Sequence, residues 1–526
     1  MHGPYRLRPL SLETLRPFAL AVLSGVLYFV GFVGFDQWYL SWICLVPVLF
    51  ALQDATVTTW KRALAVSWLF GLTTHLGGYY WIVTLLQTFA HLHVALSVLG
   101  YLLLCIAQGA CLGAFGLLTW VLSRRTGHSV FALAAVTMVA VELCFPMLFP
   151  SYLANSQAWM PYTTQIADLG GVLLVTFVIT LVNGGVGELL AARLGRRPLS
   201  RPLVGAAAFA LVFTVGYSAV RLRQLEAVDA ASPKLKTAIV QANVGAGDKF
   251  ANVMAGIQRF KDMSDEAMND PAMGLVVWPE SAFNRSVRLE PGLNLTGAVA
   301  TTVKVPMVVG VVRVDRKGGE FQVWNSALAL RPGGEVAGSF DKTMLLAFGE
   351  YVPGDKWFPG IYKLLPYSGH FERGESVQPL PVGPYKLSTD ICYEDILPRF
   401  IHTLMVPIDE AGNRPHAMVN ITNDSWYGPA EPPIHLALAT FRAIEHRRWL
   451  VRSTATGISA FIDSAGRIVD RTHFEVAETL THEVPMITGG PTVYGVMGDW
   501  VGYLAVALCL AGLYWKRLRA AAPGAR

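Results

Sequence analysis

The chain has 526 residues, of which 53% are hydrophobic and only 15% charged. Soluble domains carry about 25% charged residues, so this composition excludes a disordered chain, a coiled coil and a purely soluble enzyme. The net charge is +5 with no Lys/Arg-rich face, which excludes nucleic acid as a partner, and the length accommodates roughly three domain-sized units.

A membrane-crossing helix needs about 20 mostly apolar residues. Stretches of that character lie near 18–34, 38–52, 63–83, 95–122, 130–147, 170–192, 203–220 and 497–515. The first two are short and joined by Gly34-Phe35-Asp36-Gln37, and they read as two spans or as one helical hairpin. Arg6, Arg8 and Arg16 precede the first run as in a signal peptide, but no small-x-small cleavage site follows, so it reads as an uncleaved anchor. Lys and Arg cluster at the N-terminus, at Lys61-Arg62, at Arg124-Arg125, at Arg193–Arg201 and at Lys516–Arg519, whereas connections 35–37, 84–94 and 148–169 contain none. Cytoplasmic loops carry the excess of Lys and Arg. Eight spans satisfy that rule, with both termini cytoplasmic and residues 221–496 facing outward. Arg221 and Arg223 run against it, but long domains translocate largely regardless of charge. The boundaries expected are a membrane domain at 1–220, a linker at 221–233, a catalytic domain at 234–486, and a last span with its tail at 487–526.

Between 234 and 486 the apolar runs shorten and are broken by Gly, Pro and Asn. Thr237–Ala242, Gly274–Trp278, Val305–Val314, Trp324–Leu330, Leu387–Cys392, Ala417–Thr422 and Ile458–Asp463 read as strands, and 251–268 and 433–449 as helices. Buried strands alternating with helices predict a layered α/β domain.

Three polar groups stand at strand ends. Glu280 follows the run Val276-Val277-Trp278-Pro279, where Pro279 stops the ladder. Lys342 follows Phe340-Asp341 and leads into Phe348-Gly349-Glu350-Tyr351-Val352-Pro353. Cys392 ends Ser388-Thr389-Asp390-Ile391 and precedes Tyr393-Glu394-Asp395. Each has an ordinary structural reading when taken alone. Of six cysteines, however, Cys392 is the one in the outward segment, and a lone thiol in an oxidising compartment is a liability unless it has a task. Together the three supply a nucleophile, a base and an oxyanion stabiliser. His435 and His446 read as structural. No CxxC, HxxxH or HExxH spacing occurs, so neither metal nor cofactor is expected.

The order Trp278-Pro279-Glu280, Lys342, Asp390-Ile391-Cys392-Tyr393-Glu394 resembles the nitrilase (carbon–nitrogen hydrolase) superfamily. Set among seven N-terminal spans and one C-terminal span, it resembles the apolipoprotein N-acyltransferases of the bacterial envelope. Phe348–Pro353 and Asn423-Asp424-Ser425-Trp426-Tyr427-Gly428 match further blocks. The resemblance implies an α-β-β-α sandwich on a membrane bundle, in the cell inner membrane with the catalytic domain periplasmic. It implies transfer of an sn-1 acyl chain from a phospholipid, typically phosphatidylethanolamine, to the α-amine of a diacylglyceryl-cysteine on an apolipoprotein. It makes Cys392 the nucleophile, Glu280 the base and Lys342 the oxyanion stabiliser, with Glu350, Tyr393 and Glu394 in support. Phe250 stands where the family carries an aromatic, often Trp, and Phe250 and Trp426 are the expected substrate contacts. Met344–Phe348 and the aromatic run Trp357–Leu365 read as a lid dipping into the membrane or as core packing. A membrane-anchored amidase and an idle scaffold or transporter are the competing readings. Nothing marks an oligomer interface, so a monomer is expected.

Overall fold

The computed structural model describes residues 12–245, 253–317, 320–363 and 368–515. In hydrocarbon a helix satisfies all its own backbone groups, and the apolar N-terminal half folds into helices. These are α1 (Leu12–Val30), α2 (Val46–Leu52), α3 (Trp60–Gly78), α4 (Ile82–Thr88), α5 (Val94–Thr126), α6 (Val130–Cys144), α7 (Pro161–Thr164), α8 (Ala167–Arg193) and α9 (Arg201–Ala231). Among the described residues, α1, α5, α8 and α9 are long and apolar enough to cross a bilayer, and Trp38–Leu52, Val130–Cys144 and Trp500–Leu513 are shorter apolar stretches. The run at 38–52 is not one helix, because a 3₁₀ turn at Trp38–Trp42 precedes α2, which starts with Pro47 in its first turn.

α9 continues past residue 220 to Ala231, so most of the expected linker is helical and leads straight into the first strand. Arg221, which ran against the charge rule, has a local partner there. Its Nε lies 3.0 Å from Asp168, which also accepts from Tyr217 and Arg447. α8 breaks at Gly170-Gly171 and restarts with the Glu445 carboxylate accepting from Val172 N at 3.0 Å. Gly171 has φ +69°, and a Cβ there would stand 2.6 Å from the Tyr494 ring.

The C-terminal half carries strands β1 (Lys234–Gln241), β2 (Leu275–Val277), β3 (Phe283–Val287), β4 (Met307–Lys317), β5 (Glu320–Leu330), β6 (Val336–Asp341), β7 (Leu380–Val382), β8 (Tyr385–Ile391), β9 (Ala417–Thr422), β10 (Leu450–Thr454), β11 (Ala460–Ile462), β12 (Ile468–Arg471) and β13 (Glu478–Pro485). Its helices are α10 (Val253–Ala267), α11 (Pro398–Leu404) and α12 (Pro432–His446), followed by α13 (Val493–Met497) and the terminal α14 (Trp500–Leu513). One sheet has the order β13-β1-β2-β4-β5-β6, with β3 also on β4, and the other has the order β12-β11-β10-β9-β8-β7. Every strand expected from the sequence is present. β3, β6, β7, β10, β12, β13 and α11 are additional, and α12 ends at His446, where Arg447 turns the chain at φ +52°.

The two sheets bury Val277, Val308 and Ala329 of one against Ile391, Val419 and Val451 of the other. α10 covers the first sheet, with Phe260 against Trp278, while α11 and α12 cover the second. The result is an α-β-β-α sandwich. The opposite face of α12, with Ala437, Phe441 and Ile444, packs into the same core as Val172 and Val175 of α8. The domain therefore sits on the helical bundle through α12. The bundle connections free of Lys and Arg are those that meet it: Gly34 lies 3.6 Å from Ile434 when given a Cβ, Phe89 meets Trp426, and Leu148 O accepts from Tyr393.

β2 and β3 lie end to end along one edge of β4: Val277 pairs with Val308 and Phe283 with Val311. Residues 278–282 loop out between them, with Ser281 at φ +51°, and Glu280 is carried on that loop. Gly310 of β4 makes the room, since a Cβ there would lie 2.1 Å from Pro279 O and 2.8 Å from Glu280 Cα. Crowding of this kind costs about 1–3 kcal/mol. Gly310→Ala is expected to lower the melting temperature accordingly while the far-ultraviolet circular dichroism spectrum is retained.

Candidate active site

Lys342 directly follows β6 and is only 1% exposed. Its Nζ lies 2.9 Å from Glu350 Oε1 and 3.5 Å from Glu280 Oε1. Burial by itself would depress its pKa, but the Glu350 and Glu280 carboxylates outweigh that and hold it well above the ordinary lysine value. Asn325 of β5 completes the arrangement by donating to Glu280 Oε1 at 2.5 Å and to Glu350 Oε1 at 3.1 Å, while its backbone carbonyl accepts from Lys342 N. Glu350 Oε2 accepts from Leu346 N, which anchors the following loop.

Cys392 comes from the other sheet. It is the first residue after β8, at φ +55°, opening a 3₁₀ turn at Cys392–Ile396. A non-glycine residue held there is strained, which is usual where a side chain must be presented. Burial, and then the Glu280 carboxylate, push the thiol well above its ordinary pKa, while Lys342 and a hydrogen bond from Thr422 oppose the shift. Glu394 joins the two sheets at this point, with Oε2 accepting from Ile391 N and Oε1 from Thr343 N and Met344 N, all at 2.7–2.8 Å. Tyr393 donates to Leu148 O of the bundle at 2.6 Å.

Behind the turn lies a fully buried charge cluster. Arg452 donates to Asp395 at 2.6 Å and to Asp424 at 3.3 Å. His435 Nε2 lies 2.8 Å from Asp395 and its Nδ1 3.2 Å from Asp424, with Glu431 at 3.6 Å. Burial and the Arg452 charge work against protonation of His435, but Asp395 and Glu431 carry its pKa up to about 10. Asp424, Glu431 and His435 bring ligand-type atoms within 4.8 Å of one another. Arg452 and the imidazolium already supply counter-charge there, so the cluster reads as an ion network rather than as a metal cage.

The structure thus brings Glu280, Lys342, Cys392 and Glu350 together, places Glu394 as the tie between their loops, and turns Tyr393 towards the bundle. Trp426 sits apart, edge-on to Phe89 at 5.1 Å. Phe250 lies outside the described residues. His435, read from the sequence as structural, is a charged member of the buried cluster behind the Cys392 turn. Asn325 and Glu431 were not singled out. Asn325 had a signal, a polar side chain inside the apolar strand run Trp324–Leu330, whereas Glu431 sits in a loop that has no pattern.

Residues 236–492 match the carbon-nitrogen hydrolase family model, so the sandwich is a nitrilase-type domain. Residues 24–185 match the model for the apolipoprotein N-acyltransferase N-terminal domain. Apolipoprotein N-acyltransferase from Geobacter metallireducens is 30% identical over 519 residues, covering 95% of this chain and 96% of its own. The Bdellovibrio bacteriovorus enzyme is 28% identical over 526 residues, with coverages of 94% and 93%. The chain belongs to the apolipoprotein N-acyltransferase family, and it is an acyltransferase.

Two outcomes follow from the geometry. The thiolate is the nucleophile towards alkylating agents, so iodoacetamide labelling of the Cys392 peptide should rise about tenfold per pH unit and show no plateau below pH 9. His435→Gln leaves two buried carboxylates short of a counter-charge and should destabilise the protein by about 3–5 kcal/mol, read by chemical denaturation.

Proposed function

We propose that the chain transfers an acyl chain from a membrane phospholipid, typically from sn-1 of phosphatidylethanolamine, through a thioester on Cys392 to the α-amine of a diacylglyceryl-cysteine. The observation that carries this reading is the buried Glu280–Lys342–Glu350 group across from Cys392, beside the loops that join the domain to the bundle.

In the first half-reaction Glu280 takes the thiol proton as sulfur attacks the ester carbonyl. Lys342 faces the developing oxyanion, and removing such a donor typically lowers the rate roughly 10²–10³-fold. The C–O bond breaks, Glu280 returns the proton to the departing oxygen, and lysophospholipid leaves. In the second half-reaction the acceptor amine attacks the thioester carbonyl, Glu280 takes its proton, the C–S bond breaks, and Glu280 returns the proton to sulfur to restore the thiol. This is ping-pong covalent catalysis.

The thioester must be kept from water. Between Met344 and Lys363, Phe348 is half-exposed and Trp357 and Phe358 are 81% and 73% exposed. Aromatic side chains of this kind suit the membrane–water interface, and we assign the segment as the lid. The same reading sets eight spans in the inner membrane, the domain in the periplasm and both termini in the cytoplasm, with the protein acting as a monomer.

The test is intact-protein mass spectrometry after incubation with phosphatidylethanolamine. One acyl mass should appear on the wild type, be absent from Cys392→Ala and be released by hydroxylamine. Hydrolysis of small amides with no adduct would instead select the membrane-anchored amidase.

A further inference from the structure

Tyr393, the residue after Cys392, lines a small cavity of about 30 Å³, room for a group the size of a water molecule. Tyr79, Trp81, Phe149, Tyr393 and Tyr427 wall it, and Glu431 closes it. The rings stand nearly perpendicular to one another: Trp81 to Tyr427 at 5.8 Å, Trp81 to Phe149 at 5.4 Å, and Phe149 to Tyr393 at 6.4 Å. Glu431 is 8% exposed, and its Oε2 has no hydrogen-bond partner among the described residues. A buried carboxylate oxygen left in that state is costly unless something fills it.

The charge balance points the same way. Among the described residues Arg452 and His435 match Asp395 and Asp424, so Glu431 is the surplus acid, and its carboxyl, held up by burial, ionises fully only when a further cation joins it. Aromatic faces attract cations but offer no lone pair to a metal. Tyr393 walls the cage and directly follows Cys392 on the same 3₁₀ turn, which places the cage on the Cys392 side of the domain.

We infer that Glu431 and this aromatic cage bind a primary ammonium group of a lipid substrate next to Cys392. The inference rests on the reading that the acyl group passes from a phospholipid to an amine. Two sources share that chemistry, the α-ammonium of the acceptor and the ethanolamine headgroup of the donor. The acceptor is favoured, because its amine must come to the thioester. An ammonium must lose one proton before it attacks and a second as the C–N bond forms. Glu431, ionised by the ammonium beside it, takes the first and gives it up to water, and Glu280 takes the second and passes it to sulfur as the thioester C–S bond breaks. Burial pushes the Glu431 carboxyl up to about 8, close to the ordinary α-amine value of about 7.7–8.0, so it can accept that proton without a large energetic penalty.

The test measures binding by full-length Cys392→Ala protein in micelles, which needs no turnover. The ligands are a diacylglyceryl-cysteine lipopeptide and phosphatidylethanolamine, each compared with its N-acetylated form. A preference of at least tenfold for the free amine is expected for the lipopeptide, falling to within twofold when Glu431→Gln is added. Trp81→Leu should reduce the preference at least threefold, which guards against a fold defect peculiar to the Glu431 change. The same pattern seen only with phosphatidylethanolamine would keep the site and assign it to the donor headgroup. Equal affinity for free and acetylated forms, or a preference that survives Glu431→Gln, would overturn the inference. Absence of an acyl-enzyme in the wild type would count against the thioester alone.

Discussion

Lys342 is withdrawn from water, and a buried ammonium keeps its charge only if anions face it closely. Glu280 and Glu350 do so at 3.5 and 2.9 Å, and much of the first sheet is arranged to put them there. β2 stops early so that Glu280 can loop out, β4 carries Gly310 so that the loop can fit, and β5 supplies Asn325, whose one amide nitrogen donates to both carboxylates. The second sheet need only bring one sulfur to this prearranged charge. An active site built this way does little reorganising during the reaction, which is where electrostatic catalysis gains most.

The alignment between the sheets depends on Glu394. One carboxylate binds the β8 end and the loop after Lys342, so Cys392 and Lys342 share a fixed reference. Tyr393, one residue earlier, ties the same turn to the bundle. The position of the Cys392 turn is therefore referred to the loops that join the helices of the bundle.

The sequence made some of this legible and concealed the rest for physical reasons. Glu280, Lys342 and Cys392 could be read because each closes an apolar strand, and a charged or reactive group at such an edge stands out. Glu350 and Glu394 came with the motifs around them. Asn325 carries a weaker signal, a polar residue inside an apolar strand run, which alternation also allows for an outward-facing position. Glu431, Asp395 and Arg452 are far apart along the chain and meet only through the packing of α12 on the second sheet. The bundle was legible as hydropathy, but the break at Trp38–Trp42 and the extension of α9 to Ala231 depend on contacts with other elements.

α12 is buried on both sides, against the sheet through Leu436, Ala439 and Ala443 and against α8 through Ala437, Phe441 and Ile444. α14, made last, returns to pack on the bundle, with Gly502 seated between Leu143 and Leu173. In chain order the whole catalytic domain is thus an insertion between the ninth helix of the bundle and the helix that completes it. Severing it at its two boundaries would leave an apolar face on α12 and an open seam beside α6 and α8. α14 therefore reaches its seat on α6 and α8 only after the whole domain has been made, so the bundle is closed by chain from the far side of a domain that matches a separate family model.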